Sequence, residues 1–144
     1  MATMQQIKSE LESPWLSVAN GGTEEWTGTA LDLIAFGNSG YTPPSDNYTS
    51  WMEVSVNPGR QDAADISLFS NVGNPTVTIS AHTALGIGDG AATQLLDLAA
   101  GIYRARIFTA GGSTLHAYSF SAPAETPGPS GWFRMSSQIS FRSY

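Results

Sequence analysis

Alternation with a period of two is the sequence feature that most limits what this chain can fold into. From Trp15 onward, apolar and polar residues alternate in short runs, a repeat that places successive side chains on opposite faces of a strand. Clusters such as Asn57-Pro58-Gly59, which favour tight turns, separate the runs. About seven to nine short strands with this punctuation predict an all-β fold, a single antiparallel β-sandwich of jelly-roll type. The predicted strands are Trp15–Val18, Ala30–Phe36, Trp51–Val56, Asp65–Ser70, Thr76–Ala81, Thr93–Leu98, Ile102–Thr109, Thr114–Ser121 and Trp132–Phe141.

The N-terminus has a different period. Met4, Ile7 and Leu11 recur at i, i+3 and i+7 with polar residues between them, which predicts a short amphipathic helix. Thr3 is a suitable N-cap, and Pro14 disfavours helical backbone in the residue before it. A helix of three turns is marginal in water, so its apolar stripe must dock on its own domain or on a neighbour.

These two periods divide the chain into an N-terminal helical arm, residues 1–13, and a β-sandwich domain, residues 14–144. The C-terminal strand ends on Tyr144 with no polar tail, and we expect both extremities to contact neighbouring subunits. The predicted interface residues are Met4, Ile7 and Leu11 in the arm and Phe141, Arg142 and Tyr144 in the tail.

A second set of interface candidates comes from the segment Ile102–Thr109. It alternates like a strand, and the Gly111-Gly112 pair predicts a tight hairpin into Thr114–Ser121. In that interpretation Arg104 and Arg106 lie two residues apart on one outward face. Both would then be placed to bind carboxylates of a neighbour in bidentate fashion.

Charge is sparse in this chain. Only 12% of the residues are charged, about half of the roughly 25% usual for soluble domains. One lysine accompanies five arginines, and the net charge of −6 argues against nonspecific nucleic-acid binding. No apolar run approaches the roughly 18 residues of a membrane span, and no signal-peptide pattern begins the chain. The composition therefore favours a soluble subunit whose surface is covered by neighbours rather than hydrated by lysines.

Catalytic and metal motifs are missing from the sequence. The chain has no cysteine, no Gly-x-Ser-x-Gly elbow, and two histidines, His82 and His116, that lie 34 residues apart. The run Gly86-Ile87-Gly88-Asp89-Gly90 lacks the lysine and hydroxyl residue of a phosphate-binding loop. We therefore expect no enzyme activity, no cofactor and no metal. Carbohydrate binding stays open, because four tryptophans could offer flat rings.

The stretch Leu95–Ser121, with its Gly-Ile-Tyr-Arg-Ala-Arg-Ile run and the Gly111-Gly112 turn, resembles small β-sandwich proteins of bacteriophage virions, including capsid decoration or cement proteins. The resemblance implies a noncatalytic homotrimer bound to the major capsid protein, made in the host cytoplasm and located in the virion. The same stretch also resembles bacterial sandwich proteins of the immunity or inhibitor type. The alternative is therefore a soluble binding module for a carbohydrate or a partner protein.

Overall fold

A computed structural model describes residues 3–28, 33–37, 50–58, 61–63, 69–71, 75–86, 89–126, 128 and 131–143. Within these residues the chain forms two α-helices and nine strands, and two 3₁₀ turns, Ser13–Trp15 and Val18–Asn20, follow the first helix. In chain order the elements are α1 Met4–Glu12, β1 Ile34–Phe36, β2 Ser50–Asn57, β3 Gln61–Ala63, β4 Phe69–Asn71, β5 Thr76–Ala84, α2 Gly90–Arg104, β6 Phe108–Ala110, β7 Ser113–Phe120, β8 Ala124–Thr126 and β9 Trp132–Ser143.

One sheet of seven strands dominates the molecule, in the order β1-β2-β5-β9-β7-β6, with β8 paired to β9 beside β7. Strands β3 and β4 form a separate hairpin. The β1–β2 pair is parallel, whereas the other strand pairs are antiparallel, so the prediction of a purely antiparallel sheet is wrong.

The sheet curls into a half-barrel around the two helices. Helix α1 contacts both β2 and β6, which lie near opposite edges of the sheet, and α2 contacts β5, β7 and β9 between them. A single helix reaches both edges only because the sheet bends around it. Helices rather than a second large sheet cover the concave face of the described sheet, and a sandwich is not confirmed.

The core lies between the concave face and the helices. Alternate residues of the three central strands point into it, as the period of two predicts. The core residues of these three strands are Met52, Val54, Val77, Ile79, Ala81, Met135, Ile139 and Phe141, and the helix residues are Ile7, Leu11, Ala92, Leu96, Ala99 and Tyr103. Thus α1 belongs to the same core as the sheet.

The segment predicted as strands Thr93–Leu98 and Ile102–Thr109 is mostly helix, because α2 runs through it to Arg104. Its buried residues, Ala92, Leu96, Ala99 and Tyr103, recur at i, i+4, i+7 and i+11, which is the period of a helix face. The short apparent alternation near Tyr103 is too brief to outweigh this pattern, so that prediction is wrong. The turn prediction is confirmed: Gly111 and Gly112 both adopt positive φ, as a two-residue hairpin loop of type I′ requires.

The predicted strand Trp15–Val18 is also wrong, because two 3₁₀ turns occupy this region. Pro14 sits in the first turn, where its fixed φ suits helical backbone. The turn carries Trp15 into the core, where its ring lies 4.6 Å from that of Trp26, between centroids.

Candidate functional site

One cluster of titratable groups lies on the convex face of the sheet. Trp51, His82 and Arg134 are register partners across β2, β5 and β9. His82 Nε2 lies 2.5 Å from Glu53 Oε1, and the imidazole stacks on Trp51 with 3.7 Å between ring centroids. Arg134 Nη1 lies 4.0 Å from the same carboxylate oxygen. The hydrogen bond from His82, opposed in part by burial, holds the pKa of Glu53 below its ordinary value.

This pair has the chemistry of a general base and its orienting acid, but not the access. The His82 side chain is completely buried, and its Nδ1 has no hydrogen-bond partner among the described residues. Two hydroxyls on this face, those of Ser80 and Ser136, bond to each other at 2.8 Å. The geometry therefore cross-links β2 to β5, with the imidazole buried and the Glu53 side chain 41% exposed.

The Arg106 side chain binds other residues of its own chain. Its Nη1 donates to Glu25 and, at 3.1 Å, to Thr23 Oγ1, while its Nη2 donates to Glu10 Oε1 at 3.0 Å. The predicted contact between Arg106 and a neighbour's carboxylate is therefore corrected: two carboxylates of its own chain occupy the guanidinium. This bridge ties α1 to the segment that follows the 3₁₀ turns.

The other predicted arginines lie over aromatic rings. Arg104 stands 4.4 Å above the Phe120 ring, and Arg142 stands 4.6 Å above the Tyr118 ring. Both arginine side chains are exposed. Arg104 does not share a strand face with Arg106 as predicted, because Arg104 ends α2.

The predicted arm and tail residues divide between core and surface. Ile7, Leu11 and Phe141 are completely buried in the chain's own core, so their assignment as interface residues is corrected. Met4 keeps 42% of its surface exposed. Tyr144 lies outside the described residues.

A depression with both apolar and polar lining lies along the outer side of α2. Two adjoining hollows of about 680 and 300 Å³ share Leu98. Leu98 and Ile107, half or more exposed, stand at this depression. We define the α2 groove by Trp26, Leu95, Leu98, Ile102 and Ile107. Exposed aliphatic side chains beside a concave surface are typical of a contact with another molecule.

An extended segment forms the wall opposite α2. The backbone N–H of Trp26 donates to the Pro14 carbonyl at 3.1 Å, and that of Glu24 donates to Leu16 at 2.9 Å. The buried Trp26 ring packs on Trp15 and so anchors the wall in the core. The groove is thus held open by fixed elements on both sides.

Sequence reasoning missed the α2 groove because it placed strands here. Leu95, Leu98 and Ile102 stand at i, i+3 and i+7, the spacing of a second apolar helix stripe beside the buried one. That spacing was available as a signal. The exposure of Ile107 depends on where α2 ends and has no sequence signature.

The tryptophan rings are poorly placed to stack on a sugar. Trp15, Trp26 and Trp51 are 1%, 3% and 3% exposed, so their ring faces are inside the protein. Trp132 packs edge-on against Trp51. Within the described ranges, no three His, Asp or Glu side chains come close enough together to hold a metal ion.

No protein-family model matches the chain, and no curated protein matches it. A solved structure with 16% sequence identity superposes with a TM-score of 0.60, over 99% of this chain and 96% of that one. A likeness at this identity shows the fold alone. Across the part of the chain that the structure describes, neither helix has the length and apolar content of a membrane span.

Proposed function

We propose that this protein is a noncatalytic structural subunit of a bacteriophage virion, of the capsid decoration type, which forms a homo-oligomer and stabilises the shell by bridging capsid subunits. The observation that supports a subunit role is the α2 groove, where Leu98 and Ile107 expose apolar surface beside rigid walls. The Glu53–His82 pair is consistent with a noncatalytic role, because the imidazole is completely buried and is bonded to the carboxylate.

Apolar area, rather than ion pairing, should supply the binding energy. Burial contributes about 25 cal/mol per Å² before the cost of association, whereas exposed ion pairs contribute about 0–1 kcal/mol. Arg106 is already paired within the chain, and the chain has only six lysines and arginines in total. Binding to a shell should therefore weaken little as salt is raised.

The test is co-sedimentation of the purified protein with shells of its source virus that were assembled without it. We expect saturable binding in a fixed ratio to the capsid subunit, retained in about 1 M salt, where the screening length falls to roughly 3 Å. Shells of an unrelated virus are the control. No binding to the cognate shells, or binding that salt abolishes, would contradict the proposal.

The alternative, a soluble binding module, is favoured by the volume of the groove. Its larger hollow, about 680 Å³, lies within the roughly 300–1,000 Å³ of small-molecule sites. A strictly monomeric protein whose melting temperature rises with a glycan or a single partner protein would support this alternative over the virion role.

A further inference from the structure

The exposed side of α2 carries a seam with the spacing of a coiled coil. Ala91, Gln94, Leu98, Gly101 and Ala105 follow one another at intervals of three, four, three and four residues. This is the spacing of the two contact positions of a heptad. The seam lies opposite the buried face of the helix, and its central side chain, Leu98, is half exposed.

The centre of the seam is open. A Cβ atom built on Gly101 would meet nothing within 4 Å, so none of the described residues lies directly against this glycine. The flanking seam residue, Ala105, is small and exposed. A second helix can therefore approach α2 here as closely as the roughly 8 Å that small residues permit.

Two opposite charges flank the seam on one side. Asp97 and Arg104 each stand immediately before a seam residue, seven positions apart, and both are exposed. At 1.5 Å per residue they lie about 10.5 Å apart along the axis, too far to pair with each other. Neither forms an ion pair with another described residue, and the guanidinium contact of Arg104 is the Phe120 ring. The helix is thus acidic near its middle and basic at its end, on the same flank.

When a second α2 helix runs in the opposite direction, its charges are placed opposite the unlike charges of the first. In an antiparallel pair of α2 helices whose two-fold axis passes beside Gly101, Asp97 of each copy faces Arg104 of the other. Positions that precede the seam in this way are the ones that meet across an antiparallel coiled coil. A parallel pair would instead place Asp97 beside Ile102 of the other copy, where it meets no opposite charge.

We propose that the chain forms a two-fold symmetric dimer through antiparallel packing of α2, with Leu98 of each copy seated in the α2 groove of the other. The contact is isologous, because one patch serves both copies. The proposal deepens the proposed function and rests on it for its purpose. It assigns the α2 groove to the contact between copies, and a two-fold dimer presents each remaining surface twice, which suits the bridging of capsid subunits. The proposed oligomer is a dimer, whereas the resemblance to virion proteins implies a trimer.

Charge reversal tests the arrangement. Sedimentation-velocity and light-scattering measurements on the full chain should give a mass of about twice 15.2 kDa at micromolar concentration. Asp97→Arg alone and Arg104→Asp alone should each raise the dimer Kd about tenfold, since two attractive contacts become repulsive. The double variant, Asp97→Arg with Arg104→Asp, should return the Kd to near its original value.

A second pair of variants tests the apolar contact. Leu98→Asp should give a monomer, whereas Val18→Asp, at a more exposed apolar residue elsewhere, should not.

Far-UV circular dichroism shows whether each variant keeps the native fold, and the charge variants change only exposed side chains. A monomer at every concentration, a trimer, or a double variant without rescue would each overturn the dimer. These outcomes are separable from the proposed function. If the protein is a monomer and still binds cognate shells, only the dimer proposal is refuted. If it is a dimer that does not bind cognate shells, only the virion role is refuted.

Discussion

At the scale of single residues, Tyr103 joins three elements through one hydroxyl. This α2 side chain donates to the Leu11 carbonyl of α1 at 2.6 Å and accepts from Trp15 Nε1 at 2.7 Å. Its ring packs against Phe108 and Phe141 in the core. Complete burial raises the pKa of Tyr103 well above its ordinary value, so the hydroxyl stays protonated and keeps donating.

The change Tyr103→Phe should therefore destabilise the fold by about 1–3 kcal/mol, because a buried carbonyl and a buried indole N–H lose their partner together. Urea denaturation followed by tryptophan fluorescence measures the loss. Tyr118→Phe is the matched control, since Tyr118 is 47% exposed and the new ring can still lie under Arg142. Equal stability of the two variants would show that the Tyr103 hydroxyl bonds contribute nothing.

The Glu53–His82 bond predicts a dependence of stability on acid. The pKa of Glu53 is lowered in the folded state, so its stabilising contribution is full above the unfolded value of about 4.5 and is lost as pH falls through the folded value. Thermal melts from pH 7 to 3 should show wild type more stable than Glu53→Gln at neutral pH. The difference should shrink below pH 4.5, and a difference that stays constant to pH 3 would contradict this account.

At the scale of elements, α1 is a component of the core. A capping box begins it, in which Thr3 accepts from the Gln6 backbone and the Gln6 side chain accepts from the Thr3 backbone. Its two buried residues, Ile7 and Leu11, contact the concave face of the sheet. The predicted helix and its cap are confirmed, and the helix is docked on its own domain.

Alanine substitutions in α1 should distinguish the stability contributed by its buried face from that contributed by its exposed face. Ile7→Ala should cost about 2–5 kcal/mol of unfolding free energy, because it removes buried methyl groups and leaves a cavity. Met4→Ala should cost less than about 0.5 kcal/mol, since Met4 is 42% exposed. Chemical denaturation distinguishes the two, and a small loss for Ile7→Ala would mean that α1 does not stabilise the domain.

At the scale of the whole molecule, β5 and β9 form the centre of the sheet. Strand β5 pairs with β2 and β9, and β9 pairs with β5, β7 and β8. Strands β1 and β6 end the described strand order and have three residues each. Opening the sheet from its ends leaves the central pair intact until the whole domain unfolds.

Amide hydrogen exchange should reproduce this order. Backbone amides of Val77–Ala81 and their β9 partners should exchange slowest, at rates set by global unfolding, and those of β1 and β6 should exchange faster by orders of magnitude. Exchange measured by NMR or mass spectrometry provides the comparison. Uniform protection across the sheet would contradict it. If α2 pairs two copies, protection of Leu98 and its neighbours should also increase with protein concentration.

Much of the sheet and one helix could be read from local pattern. Strands β2, β5, β7 and β9 coincide with predicted runs to within about three residues, because each buries one face and so must alternate. The candidate site was less accessible to this reasoning. Arg106 was predicted to face outward, yet it binds Glu10 and Glu25, which lie more than 80 residues away in sequence. No local pattern encodes a partner at that distance.

The sequence by itself determined the periods, the turns and the sparse charge, because these depend on neighbouring residues and on composition. Only the tertiary structure decided that the sheet curls, that α1 closes the core, and that α2 replaces two strands. A curl is set by which elements meet across the concave face, and α2 is stabilised by burying Leu96 and Tyr103 against strands far away in sequence. Contacts between distant segments carry that energy, so a pattern read one segment at a time does not contain it.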